Sequence, residues 1–151
     1  MAVRGDLGMS DPLDTRRPVT LPTGSGLALA LLYGLFAIAA GARAAVQITR
    51  DFSDAPVAYG LSALAAAVYV IATVALLGRA HRVALVAVGF ELLGVLVVGS
   101  LSLLHPEYFP RATVWSGFGA GYGWLPLLLP ILGLAWLRYN WNRGPQSPES
   151  N

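Results

Sequence analysis

Residues 18–42, 55–78, 83–106 and 112–137 form four stretches of 25, 24, 24 and 26 residues with one charged side chain among them, Glu91. A helix needs about 20 apolar residues to cross the hydrocarbon core of a bilayer. Each stretch holds one such span. A backbone in hydrocarbon must satisfy its own hydrogen bonds, which leaves helices as the reading for segments this apolar. The pattern predicts an all-α, polytopic membrane protein: four transmembrane helices in an antiparallel bundle.

Composition agrees and narrows the class. Charged residues are 12% of the 151, against roughly 25% in an ordinary soluble domain. Four helices use nearly the whole length, so one domain is expected. Without cysteine, disulfides, thiolate metal sites and cysteine catalysis are excluded. All ten basic residues are Arg, which together with the abundant Ala, Leu, Gly and Val suggests a GC-rich bacterial gene.

The net charge of +2 is no sign of nucleic-acid binding, because the basic residues sit between spans and form no patch. They set orientation instead. Arg4, Arg16, Arg17, Arg79, Arg82, Arg138 and Arg143 fall on one side; Arg43, Arg50 and Arg111 fall on the other. The positive-inside rule then predicts both termini in the cytoplasm of a bacterial cell and the chain in its plasma membrane. Arg16 and Arg17, the following apolar run and Ala42-Arg43-Ala44 imitate a cleavable signal peptide. The run is long enough to span, and it is read as span one.

The spans are expected at about residues 26–46, 56–77, 83–104 and 119–139, between polar, proline-punctuated tails at 1–23 and 143–151 that should be disordered. Arg43 is close enough to the end of span one to snorkel outward. Pro56 suits a first helical turn, and the short turn 78–82 makes spans two and three a hairpin. His81, in that turn, reads as a solvated loop residue, as do Arg50, Asp51 and Asp54. Trp136, Tyr139 and Trp141 form an aromatic anchor at the inner interface. Small residues that let helix backbones approach are expected to pack: Gly34 and Gly41 in span one, Gly94 in span three, and the Gly119/Gly123 pair.

Glu91 is the candidate functional residue. It lies eight positions past Val83, about 12 Å along a helix. An ionisable group at that depth is expensive and marks function by default. On a helical wheel Ala84, Ala87, Gly94, Val98 and Ser102 share its side, while Val86, Leu93, Leu96, Val97 and Leu104 lie opposite. Val88 and Val95 blur this contrast. Equal depth in the other spans nominates Tyr33 and Tyr69 as hydroxyl donors to the acid, with Thr73 one turn from Tyr69. Pro130 should free the carbonyl of Pro126, to which a protonated Glu91 could donate. A neutral acid that merely joins helices is the competing structural reading.

The segment 105–124 mixes prolines and aromatics with glycines at 117, 119, 121 and 123. His105, Glu107, Arg111, Trp115 and Tyr122 form a candidate outer-loop site. His105 and Glu107 are two ligands where a catalytic zinc wants three, so no metal or other cofactor is implied. The glycine run fits no phosphate or dinucleotide fingerprint. It reads as backbone that bends tightly, plausible for a partly re-entrant start of span four.

The stretch 112–137, with Thr-Val-Trp-Ser, Phe-Gly-Ala-Gly-Tyr-Gly and Leu-Pro-Leu-Leu-Leu-Pro, resembles small four-helix integral membrane proteins of actinobacteria whose function is uncharacterised. The resemblance implies the plan and no activity. Small multidrug transporters are similar in size, but their membrane glutamate lies in the first helix, whereas Glu91 lies in the third. No catalytic triad or nucleophile motif is found. The expectation is a non-enzymatic accessory or scaffolding component of a cell-envelope or transport assembly. Its partners would be the lipid bilayer and other membrane proteins or further copies of itself. The alternative is a small proton-linked transporter or lipid-carrier flippase using Glu91.

Overall fold

The computed structural model describes residues 24–141. The expected tails, with Arg4, Arg16, Arg17 and Arg143, lie outside the described residues, as do the side chains of Asp51 and Trp141. Among the described residues the protein is all-α, without strands. Three helices, α1 (Ser25–Asp51), α2 (Pro56–Leu77) and α3 (His81–Leu104), are long and apolar enough to cross a membrane. A fourth, α4 (Leu125–Trp141), has 17 residues and is preceded by a bent 3-10 segment, Ser116–Tyr122. Counting that bent pair as one span makes four.

Local chemistry sets the ends. Pro56 opens α2, where its fixed φ is preorganised and its missing N–H is not needed. At the far end, the amide of Ala80 donates to the carbonyl of Ala75 and that of Arg79 to Leu76. This closes α2 as a Schellman motif with Arg79 at φ 55°. The chain then turns straight into α3.

The index sums reveal helix direction. A β-carbon on Gly34 would lie 3.5 Å from Thr73, and one on Gly41 4.0 Å from Ala66. One residue number rises as the other falls, so α1 and α2 run antiparallel in the most extensive helix contact of the protein. Next come α2 with α3 and α3 with α4, while α1 touches α4 lightly. Trp136 Nε1 donates to Ser25 Oγ at 2.9 Å, placing the start of α1 and the end of α4 at the same end of the bundle.

On α3, Ala84, Ala87, Val88, Glu91, Val95 and Val98 are buried. Val86, Leu93, Leu96, Val97 and Leu104 are exposed. The two valines that blurred the wheel belong to the inner face.

The sequence expectation for span four is corrected. No continuous helix runs from 119. Gly117, Phe118 and Gly119 have φ of 55°, 58° and 81°, a left-handed turn, and Gly123 and Trp124 follow at 63° and 65°. The segment meets α4 at 102°. Gly119 and Gly123 are therefore no helix-packing pair. Gly119 supplies a positive φ and lets Pro126 sit where a β-carbon would meet it at 2.7 Å. Phe118, the L-residue held left-handed at a cost of roughly 1–2 kcal/mol, wedges against Gly99 of α3.

Gly99→Val should evict this wedge, since its β-carbon would stand 2.5 Å from the Phe118 ring and 2.9 Å from its backbone nitrogen. The expected loss is about 1–3 kcal/mol of stability, read as a lower unfolding midpoint in detergent with helix content retained. An unchanged midpoint would contradict the packing of this segment on α3.

Candidate functional site

Glu91 is the eleventh of the 24 residues of α3, about 15 Å from one end and about 20 Å from the other. Its side chain is 0% exposed. The rest of the inner face is small or β-branched, so the carboxyl group is where other elements converge. Tyr33 on α1 donates its hydroxyl to Glu91 Oε2 at 2.7 Å. Tyr69 on α2 packs its ring 6.1 Å from that of Tyr33 and lies in the electrostatic field of the acid. Both tyrosines, like Glu91, are wholly buried.

The third contributor comes from the outer segment. Thr113 Oγ1 accepts the amides of Trp115 and Ser116, while Ser116 Oγ accepts the amide of Thr113. This tight turn is buried at Thr113 and Val114 and drives Trp115 into the core at 1% exposure. The indole ring lies flush on Gly94, where a β-carbon would stand 2.7 Å away. Gly94 is three residues from Glu91 on α3. Further up, Ser102 Oγ accepts the amide of Gly117 at 2.8 Å. The segment thus packs along α3, with the Trp115 side chain reaching down to the turn next to the acid.

From α4, Gly133 permits close approach: its β-carbon would lie 3.1 Å from Val88 and 3.4 Å from the Tyr33 hydroxyl. Sequence reasoning missed this residue. Its only signal was a lone small side chain among leucines at the depth of Tyr33.

Four corrections follow. Thr73 is no partner of the acid, because its hydroxyl donates to the Tyr69 carbonyl of its own helix at 2.7 Å. The Pro126 carbonyl is not bonded to Glu91 either: Oε2 accepts from Tyr33, and Oε1 has no hydrogen-bond partner among the described residues. The outer-loop set does not converge. His105 Nδ1 and Glu107 Oε1 pair at 3.0 Å in an exposed position, Arg111 is exposed, and Trp115 is buried far below them. Arg43 does not snorkel into solvent. It donates to the Tyr122 hydroxyl at 2.7 Å and to the Ala112 carbonyl at 3.2 Å, with its guanidinium 5.7 Å from the Tyr122 ring centroid. It is the clasp that ties α1 to the outer segment.

The site therefore holds one hydrogen-bonded pair and three buried polar atoms without partners: Glu91 Oε1, Tyr69 Oη and Trp115 Nε1. Among the described residues no three metal-ligating side chains converge. The chemistry on offer is that of a carboxyl group which can bind and release a proton among hydroxyl and N–H donors.

Tyr33→Phe should cost about 1–3 kcal/mol, since it leaves both carboxyl oxygens unpaired in the core. Tyr69→Phe removes a hydroxyl with no protein partner and should cost less. Denaturant unfolding in mixed micelles separates them, and equal losses would contradict the pairing. Arg43→Gln should speed amide exchange across residues 112–122 about tenfold or more while the helices stay protected, because charge-assisted hydrogen bonds hold that segment. Comparison with family models, with curated proteins and with solved structures finds no match to this chain, so the reading of the site rests on its own chemistry.

Proposed function

We propose that the protein is an integral membrane protein of the bacterial plasma membrane, crossing it four times as an antiparallel bundle with both termini in the cytoplasm. We propose further that it is a small proton-linked transporter or lipid-carrier flippase whose working group is Glu91. The orientation is supported by the count over the whole sequence, with Arg4, Arg16, Arg17, Arg79, Arg82, Arg138 and Arg143 on the side where α1 begins and Arg43, Arg50 and Arg111 on the other.

One observation carries the functional reading. A mid-helix carboxyl group is fully enclosed and bonded through one oxygen only, while the Tyr69 hydroxyl and the Trp115 N–H beside it make no bond to it. An acid kept purely to join helices would be expected to satisfy both oxygens, because an unmet buried polar group costs more than a made bond returns. A group that must gain and lose a proton, and shift its hydrogen bonds in doing so, fits the arrangement better.

The accessory reading expects the small-residue faces of α1 and α3 to contact other helices. Gly34 and Gly41 do so against α2, while Gly94 and Gly99 take Trp115 and Phe118 of the outer segment; that reading gives no role to the unbonded oxygen of Glu91. Four helices enclose little volume, so a carrier of this size would work through self-association in the bilayer.

Charge movement on solid-supported membranes, with reconstituted protein challenged by a panel of amphipathic cations and polyprenyl phosphates, tests the proposal. The expected outcome is a pH-dependent current in the wild type, absent in Glu91→Gln and partly kept in Glu91→Asp. A Glu91→Gln protein that gives the same currents as the wild type would sink it. So would one that is silent on the panel while purifying with a stoichiometric partner protein.

A further inference from the structure

Three buried polar atoms from three separate elements have no partner: Glu91 Oε1 on α3, the Tyr69 hydroxyl on α2 and Trp115 Nε1 on the outer segment. They are neighbours. Tyr69 lies in the electrostatic field of Glu91 and interacts with Trp115 through its hydroxyl, short of a well-formed hydrogen bond. The indole is seated on Gly94, one helical turn from the acid. Of the four buried side-chain polar atoms without a partner among the described residues, Gln47 Oε1 lies fourteen residues beyond Tyr33 on α1, and the other three converge on one place where a further group belongs.

The donor and acceptor types say which kind of group. Indole Nε1–H can only donate, so the occupant must accept. The Glu91 carboxylate oxygen can only accept, so the occupant must also donate. The Tyr69 hydroxyl serves either way. An occupant that accepts and donates at once is a hydroxyl-type group. An alkali cation offers no acceptor and would face an N–H dipole with its positive end inward. The smallest such group is a water, which would have three polar partners here.

We propose that Glu91 Oε1, the Tyr69 hydroxyl and Trp115 Nε1 hold one water molecule between them, and that the ion this centre takes up is a proton rather than Na+. The second clause rests on the carrier reading given above; the first stands on the unpartnered atoms alone. A proton reaching the site makes the water hydronium. It passes to Oε1, giving the carboxylic acid and returning neutral water, and the reverse step releases it. The groups facing the site are Tyr33 from α1, Tyr69 from α2, Trp115 from the outer segment and the Cα of Gly133 from α4. Beyond Tyr69 lies Tyr122, which accepts from Arg43. No other charged side chain is buried among the described residues, so this row of hydroxyls leads from the acid toward the half-exposed clasp.

The test uses the full-length protein in nanodiscs, labelled with 15N at its four tryptophans. The Trp115 signal is assigned by its loss in Trp115→Phe or, should that variant not fold, by elimination with single Phe variants at 124, 136 and 141. The expected result is magnetisation transfer from water to the Trp115 indole proton, weakened in Tyr69→Phe, with an indole shift that high NaCl leaves where an equal concentration of choline chloride does. Transfer from lipid chains instead of water would overturn the bound water, and an Na+-specific shift would overturn the choice of ion. These readouts are separate from transport: a hydrated, Na+-insensitive indole together with currents indifferent to Glu91→Gln keeps the water and overturns its role as a proton relay.

Discussion

A carboxyl group halfway along an apolar helix fixes the fold around it. The outer face of α3 is bare aliphatic surface, so Glu91 can only point inward, and whatever it meets must come from the other helices. Tyr33 meets it, and that one bond at 2.7 Å sets the rotation of α1 against α3. With α1 and α2 locked antiparallel by their small residues, Tyr69 follows into the same layer. Shifting any of these helices by one residue would turn its tyrosine about 100° away and leave the acid alone in the core. The register of the bundle is held by a polar requirement, because apolar side chains gain little by leaving lipid for one another.

The same reasoning explains why the outer segment is built as it is. A tryptophan near the end of a membrane helix usually sits at the interface with its N–H in the headgroups. Trp115 gives that up to lie on Gly94. Reaching there requires the chain to reverse against α3, and a right-handed turn would carry it away. Glycines at 117 and 119 supply the left-handed turn, Ser102 takes the freed amide, and Gly99 accepts the Phe118 wedge. Arg43 then holds the top of the segment to α1. Packing alone gives thin compensation for an indole N–H left unbonded, so the observation gains weight from the two unbonded oxygens beside it.

How far the sequence could carry this picture depended on the physics behind each inference. Three apolar helices were legible from uncharged length, and the inner face of α3 from the spacing of Ala84, Ala87 and Val98. The depth of Tyr33 and Tyr69 followed from a constant rise per residue along uninterrupted helices. In α4, which follows a 102° bend, depth alone did not single out Gly133, because its close approach to Val88 and Tyr33 is set by packing between helices. The alternating glycines announced a bend, but its hand and direction depend on contacts with Gly99 and Gly94, which lie fifteen or more residues away. Arg43 was misjudged for a similar reason. Its partners, Tyr122 and the Ala112 carbonyl, belong to the segment whose path could not be foreseen.

The site draws on every long element, and that has a thermodynamic consequence. Tyr33 belongs to α1, Tyr69 to α2, Glu91 to α3, Trp115 to the outer segment, and Gly133 of α4 touches the Tyr33 hydroxyl. A change in the proton on Glu91 alters which of these groups can bond to it: the carboxylate accepts from Tyr33 at Oε2 and can accept a second donor at Oε1, whereas the acid must also find an acceptor. Any arrangement of helices that supplies that acceptor binds the proton more tightly, and proton binding favours that arrangement by the same free energy. The outer segment is bound to α3 through Trp115 on Gly94, Phe118 on Gly99 and the Gly117–Ser102 bond, and to α1 through Arg43. Coupling between a proton at Glu91 and the outer end of the bundle therefore needs no long pathway, since Trp115 belongs both to the site and to that segment.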